Sequence, residues 1–159
     1  GVLSLVSDTE VLTGLYFVEH RHAPETHDRG HRVHDNDLAD HPIFSRVRDQ
    51  LTQYFAGQRQ DFDVALNPAG TVFQHRVWAA LRTIKFGQTA NYGQIASAID
   101  SPLASRAVGA ANGRNPISII VPCHRVIGSN GSLTGYGGGA TRKQALLDLE
   151  REASGASLF

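Results

Sequence analysis

The sequence predicts an α/β protein of two lobes, a small N-terminal sheet with a covering helix followed by a mainly helical C-terminal lobe. Three observations predict it: two strand-like apolar runs at the start, a series of capped amphipathic segments after residue 40, and a reversal of charge near residue 70. With 159 residues and 41% hydrophobic content the chain can bury a real core, which excludes a disordered segment.

Val2 to Val6 and Val11 to Val18, separated by Ser7-Asp8-Thr9-Glu10, read as a β-hairpin. Residues 19–41 carry six of the eight histidines among many charges and few apolar side chains, the pattern of a solvated, mobile loop. Asp40 as N-cap and Pro42 in the first turn then open a helix whose apolar residues are Phe44, Val47, Leu51, Tyr54 and Phe55, with Gly57 as its stop. Phe62, Val64 and Leu66 alternate with Asp63 and Ala65 as a further strand, closed by Asn67 to Gly70. The lobe boundary falls there, giving 1–70 and 71–159.

Thr71 and Gln74 form a capping box for a helix that uses Phe73, Val77, Leu81 and Ile84 and ends near Gly87. A second helix spans Tyr92 to Ile99, and Ser101-Pro102 marks a third over 102–112, stopped by Gly113. Two short helices joined by a tight turn in the most basic region suggest a helix-turn-helix. Ile117 to Val121 reads as a buried strand leading into Pro122-Cys123. After the glycines of 128–139, Thr141 and Gln144 form another capping box for a last helix with Ala145, Leu146 and Leu149.

Net charge is zero overall, but residues 1–70 hold six basic and eleven acidic residues, whereas 71–147 hold eight basic ones against Asp100 alone. Such asymmetry points to a polyanionic partner for the second half and places its footprint within 85–142. The single cysteine, Cys123, excludes an intramolecular disulfide and a multi-cysteine zinc site. No apolar run approaches membrane-spanning length and no secretory signal opens the chain, so a soluble protein of the reducing cytoplasm is expected, nucleoid-associated if bacterial. The histidines of 19–41 show no regular i, i+4 pair on a helix, and no metal is expected.

Cys123 stands beside His124 and Arg125. A base or cation near a thiol raises its thiolate fraction, so Cys123 is a candidate nucleophile. By adjacency alone, a buried structural cysteine accounts for it better.

The run from Arg106 to Arg125, containing R-A-V-G, N-P and P-C-H-R-V in order, resembles the O6-alkylguanine-DNA alkyltransferase family. The resemblance continues through Gly135-Tyr136-Gly137-Gly138-Gly139 and Leu146-Leu147-Asp148-Leu149-Glu150, strong over 71–152 and weak over the first 70 residues. It implies a ribonuclease-H-like N-terminal lobe, and a nucleophile, Cys123, that takes the alkyl group from guanine O6 as a stable thioether. His124 would deprotonate the thiol through a water and be oriented by Glu150. Tyr92 would donate to N3 of the departing guanine. Asn115 would tie the helix-turn-helix to the active-site loop, with Val126, Tyr136 and Gly137 around the flipped base. Arg106 would fill the space left by the extruded nucleotide, and the helix carrying Ala107, Gly109, Ala110, Asn112 and Arg114 would lie in the minor groove. Small residues such as Ala104 and Ala111 serve tight helix packing equally well.

The implied partner is double-stranded DNA carrying O6-alkylguanine or, secondarily, O4-alkylthymine. The protein would act as a monomer, once per molecule, without a cofactor. Two other classes make different demands. A non-catalytic lesion binder would keep Arg106 and Tyr92 but replace the cysteine, and a cysteine hydrolase would turn over on an ester or amide without the basic helix-turn-helix.

Overall fold

A computed structural model describes residues 1–155. The expected hairpin forms from β1 (Leu3–Asp8) and β2 (Val11–Phe17), antiparallel from Leu3 opposite Phe17 to Asp8 opposite Val11. β2 buries Leu12, Leu15 and Tyr16. Residues 19–41 contain two short 3-10 turns, Thr26–Arg29 and Asp35–Asp40.

Neither further expected strand forms. Leu66 and Ile117 each make only an isolated parallel bridge to β2, at Leu12 and Leu15. Around Leu66 the cause is a side chain: Gln50 donates to the Asp63 carbonyl at 3.0 Å and accepts from the Asp63 amide at 2.8 Å, using backbone groups that a ladder would need. Beyond Ile117 the chain turns on itself, with the Val121 amide donating to the Ile117 carbonyl at 3.1 Å and Ile119 at φ 71°. A β-branched residue in that region is strained and persists only where its surroundings hold it.

α1 (Pro42–Phe55) buries Ile43, Val47, Gln50, Leu51 and Tyr54. Its N-cap is His41 with no side-chain cap bond, not Asp40, which ends the preceding 3-10 turn. Pro42 at the first helical position has φ already set for the helix and no N–H to leave unpaired. α2 (Val72–Leu81) carries the complete Thr71/Gln74 capping box and ends at Leu81, six residues before Gly87.

β3 (Ala90–Asn91) pairs in parallel with β4 (Val126–Ile127), which fixes α3 (Tyr92–Ala98) beside the chain that follows Cys123. A second capping box, Asn91 with Gln94, starts α3 directly at Tyr92. α4 (Ser105–Gly113) begins later than expected, capped by Ala104, because Ser101 accepts the Ala104 amide in a turn that holds Pro102 and Leu103 outside the helix. α3 and α4 pack together as the helix-turn-helix. α5 (Ala140–Ala153) is capped by Gly139 at φ 88° rather than by Thr141, and Gln144 instead bonds Asp148 at 2.9 Å.

One core runs through both lobes, including Leu12, Leu15, Val47, Tyr54, Val77, Leu81, Val108, Ile117 and Leu146. Trp78 ties α2 to α4 through its indole N–H on the Ala111 carbonyl at 2.9 Å. No helix of the described residues is long and apolar enough to cross a membrane.

Candidate active site

Cys123 opens a short 3-10 turn, Cys123–Arg125, at the end of the buried 115–121 turn. Asn115 organises that turn. Its amide nitrogen donates to the Val121 carbonyl at 2.9 Å and to Cys123 Sγ at 3.0 Å, and its Oδ1 accepts from the Ile117 amide at 2.9 Å. The residue expected to tie the helix-turn-helix to the active-site loop therefore also touches the sulfur.

Glu150 is the hub behind the thiol. Its carboxylate accepts from His124 Nε2 at 2.7 Å, from the Arg125 guanidinium at 2.9 Å, from Tyr54 Oη at 2.7 Å and from the Gly87 amide at 3.1 Å. Burial by itself would raise this carboxyl, but the hydrogen bonds from His124 and Arg125 and the Arg125 charge bring it down to about 2. Glu150 is thus an ionised, acceptor-only group, which obliges His124 Nε2 to carry the proton. Burial holds His124 below the ordinary imidazole range despite Glu150, so the ring is neutral. Its Nδ1, buried and without a partner among the described residues, is a bare acceptor. The Cys123 thiol is pushed up to about 11 by burial, partly offset by the Asn115 hydrogen bond and the charge of Lys143. It rests as a thiol, and needs a base at the moment of reaction.

Three of these residues were not among the sequence candidates. Tyr54 counted only as a core residue of α1, and Arg125 only as a neighbour of the thiol. Lys143 is wholly buried and donates to the carbonyls of Val126 and Thr134. Burial lowers it to about 8, against the pull of Cys123. A signal existed: Lys143, Leu146 and Glu150 follow i, i+3, i+7 spacing and are the buried face of α5.

A cleft of about 610 Å³ opens beside α4, lined among others by Tyr92, Arg106, Gly109, Asn130, Thr134 and Gly135; Cys123 is buried and is not part of its lining. Tyr92 Oη donates to the Thr134 carbonyl at 2.6 Å. Gly135 sits at φ 71°, and a Cβ there would lie 2.5 Å from Tyr92 Oη, so only glycine fits. Arg106, Ala107 and Ala110 on α4 and Arg114 at its C-cap are exposed, and Leu103 in the preceding turn is fully exposed.

Asn112, expected on the DNA face, points inward instead: α4 turns it toward the core beside Ala111, and its amide donates to the carbonyls of Cys123 and Gly135 at 3.3 and 3.2 Å. It joins the thiol's residue to the cleft wall. Val126, Tyr136 and Gly137 are buried behind that wall, the Val126 carbonyl taken by Lys143 and the Gly137 carbonyl by the Arg21 amide.

The chain matches the family models for the 6-O-methylguanine DNA methyltransferase ribonuclease-like domain over residues 1–68 and for its DNA binding domain over 72–152. It is 52% identical over 158 residues to the methylated-DNA–protein-cysteine methyltransferase of Mycobacterium bovis, covering 99% of this chain and 91% of that protein. Among solved structures it resembles Mycobacterium tuberculosis O6-methylguanine methyltransferase at TM-score 0.83 and 51% identity, covering 98% of this chain and 90% of that one. The structure of Mycobacterium tuberculosis OGT in complex with DNA aligns at TM-score 0.81 and 51% identity over 95% of this chain and 87% of the other. Two adjoining model matches and this identity across nearly the whole length establish that the chain belongs to the 6-O-methylguanine DNA methyltransferase family.

Proposed function

We propose that this protein repairs O6-alkylguanine, and secondarily O4-alkylthymine, in double-stranded DNA by moving the alkyl group onto Cys123, once per molecule. The observation that carries the reading is the buried pair of contacts, Asn115 on Cys123 Sγ and Glu150 on the adjoining His124, joined through Asn112 to the Gly135 wall of a cleft bordered by the helix-turn-helix.

A base stacked in a duplex hides its O6, so the nucleotide must first be turned out, at a cost of a few kcal/mol. Arg106, exposed at the start of α4 on the cleft rim, fills the gap, while the small residues Ala107 and Ala110 let the helix approach the minor groove. Cys123 Sγ then attacks the alkyl carbon in line with the C–O6 bond. The S–C bond forms as the C–O6 bond breaks and its electron pair passes to the purine. The thiol proton goes to His124 Nδ1, directly or across one water, and the resulting imidazolium is stabilised by Glu150. The Tyr92 hydroxyl leaves the Thr134 carbonyl and donates to N3 of the departing guanine, without which the base would leave as an unstabilised anion. Asn115 orients the sulfur throughout.

The product thioether has no easy hydrolytic return, so the reaction is stoichiometric and needs no cofactor. The site is complete in one chain, consistent with action as a monomer in the cytoplasm. Intact mass tests the reading: with excess duplex carrying O6-methylguanine, the protein gains one methyl group, about 14 Da, at Cys123 and stops at one equivalent. Unchanged mass with DNA still bound reduces the protein to a lesion binder.

A further inference from the structure

The mechanism above draws nothing from the segment that follows β2, yet that segment lies against the glycines of the site. At Val18 and Glu19 the chain leaves the hairpin, Glu19 taking φ 61°, and folds back so that His20 contacts both preceding aromatic residues. The imidazole stacks on Phe17 at 6.2 Å, with 6° between the planes, and meets Tyr16 edge-on at 5.5 Å. Phe17 in turn meets Tyr136 edge-on at 6.3 Å, and Arg142 of α5 covers the Phe17 ring while donating to the Gly138 carbonyl at 3.1 Å. The Arg21 amide donates to the Gly137 carbonyl at 2.9 Å.

The fit is tight enough to specify residues. A Cβ at Gly137 would lie 2.5 Å from His20 Nε2, and one at Gly138 would lie 2.8 Å from the rings of Phe17 and Tyr136. Gly137 and Gly138 follow directly on Thr134 to Tyr136, the first two of which line the cleft. A loop of glycines has no side chains with which to fix itself, so its position depends on what packs against it.

Resting on the alkyl-transfer reading, we propose that His20 is a positioning residue of the N-terminal lobe, which packs on Gly137 directly and on Gly138 through the Phe17 ring it stacks on, and so fixes the cleft wall against the attacking thiol. The ring acts in its neutral form. Burial, and then the nearby Arg142, His22 and Arg29, lower its pKa to about 4, and its buried Nδ1 has no partner among the described residues. Arg142 approaches from α5, His22 and Arg29 from the segment after β2, and Arg29 also lies over the Tyr16 ring at 5.3 Å. No part of this cluster touches the reacting atoms. Its effect passes through the glycine loop to the geometry of attack, where a misplacement of about 1 Å costs up to about 100-fold in rate.

The test is single-turnover transfer from duplex DNA carrying O6-methylguanine, with the rate at saturating DNA and the DNA dissociation constant measured separately. In His20→Ala the saturated rate falls about tenfold while the dissociation constant stays within about twofold, because the face of α4 is untouched. His20→Gln, planar and neutral, recovers the rate to within about threefold of the parent. Gly137→Ala slows transfer by collision with the His20 ring, and adding His20→Ala to it recovers part of the loss, which general destabilisation would not do. His20→Ala reacting at the parental rate overturns the proposal. So do parallel losses of rate, affinity and melting temperature that His20→Gln does not restore. Should His20→Ala not fold, His20→Gln and Gly137→Ala decide alone, and Gly137→Ala reacting at the parental rate overturns it. If the unsubstituted protein gains no alkyl group, the alkyl-transfer reading fails whatever the variants do.

Discussion

The two lobes supply the site in opposite ways. The C-terminal lobe packs Asn115, Cys123, His124 and Arg125 into eleven consecutive residues and adds Lys143 and Glu150 from one face of α5. The N-terminal lobe reaches the same centre at two separate points, Tyr54 Oη on Glu150 and the Phe17 to Arg21 segment on Gly137 and Gly138. A reacting group must meet a defined atom, which constrains residue type and spacing together. A supporting group need only bring one donor or one ring to the right place, which many sequences can do. The chemistry is therefore concentrated in a motif and its support dispersed, and substitutions should separate the two by how much rate they cost, large losses at the motif and about tenfold or less at its support.

The largest effect belongs to the reacting atom. Cys123→Ala abolishes alkyl transfer and leaves duplex affinity within about twofold, because the exposed face of α4 is unchanged; residual mass gain on the variant would remove Cys123 from its role.

Next comes Glu150→Gln. The amide can donate to His124 Nε2 and stabilise the wrong tautomer, placing a proton on Nδ1 where a base is needed, and it leaves the buried Arg125 charge unpaired. Transfer at saturating DNA should fall on the order of 10³-fold and stability by about 3 kcal/mol. Stopped-flow transfer and denaturant unfolding read the two effects separately. An unchanged rate would dissolve the link between Glu150 and the thiol.

Arg106→Ala should slow repair in duplex about 10- to 30-fold, the loss of part of the compensation for turning out the base. Reaction with a free O6-alkylguanine should change little. Equal losses on both substrates would mean that Arg106 acts on chemistry rather than on the duplex.

The smallest change sharpens the lobe comparison most. Tyr54→Phe removes one hydrogen bond to a charged carboxylate that keeps its other three partners. About 1.5–3 kcal/mol of stability is expected to be lost, with the transfer rate within about threefold. A rate loss as large as that of Glu150→Gln would place the N-terminal lobe inside the proton relay.

The same carboxylate predicts acid behaviour. Its pKa lies below the ordinary glutamate value in the folded protein, so its contribution is complete above about pH 4.5 and is lost as pH falls toward 2. Unfolding followed across that range should show an acid limb that Glu150→Gln flattens.

Much of the fold and most of the site were legible in the residues. The hairpin and the Thr71 to Gln74 capping box rest on local rules and both form, and the pairing of His124 with Glu150, implied by the family resemblance, is present as a 2.7 Å hydrogen bond. The misread elements share a cause in tertiary competition for backbone groups. Gln50 takes the Asp63 amide and carbonyl, Asn115 and the Ile119 turn take those of 117–121, and Gly139 displaces Thr141 as a cap. Asn112 was misplaced because small neighbours on α4 made every position look compatible with a groove, whereas the helix period puts it opposite Ala110 and Arg114. Tyr54 could not be found from sequence, since its partner lies 96 residues away and its aromatic character fits the core.

The central claim is that a neutral His124, fixed by ionised Glu150, takes the proton from a thiol that does not ionise by itself. The pH profile of single-turnover transfer tests it most directly. With the thiol pKa near 11 and the His124 pKa below its ordinary range, the rate should be level between about pH 7 and pH 9. In Glu150→Gln it should be far lower and climb roughly tenfold per pH unit, following the free thiolate. A tenfold climb per unit in the unsubstituted protein would contradict the account, since it would mean that the sulfur reacts only after ionising without help from His124.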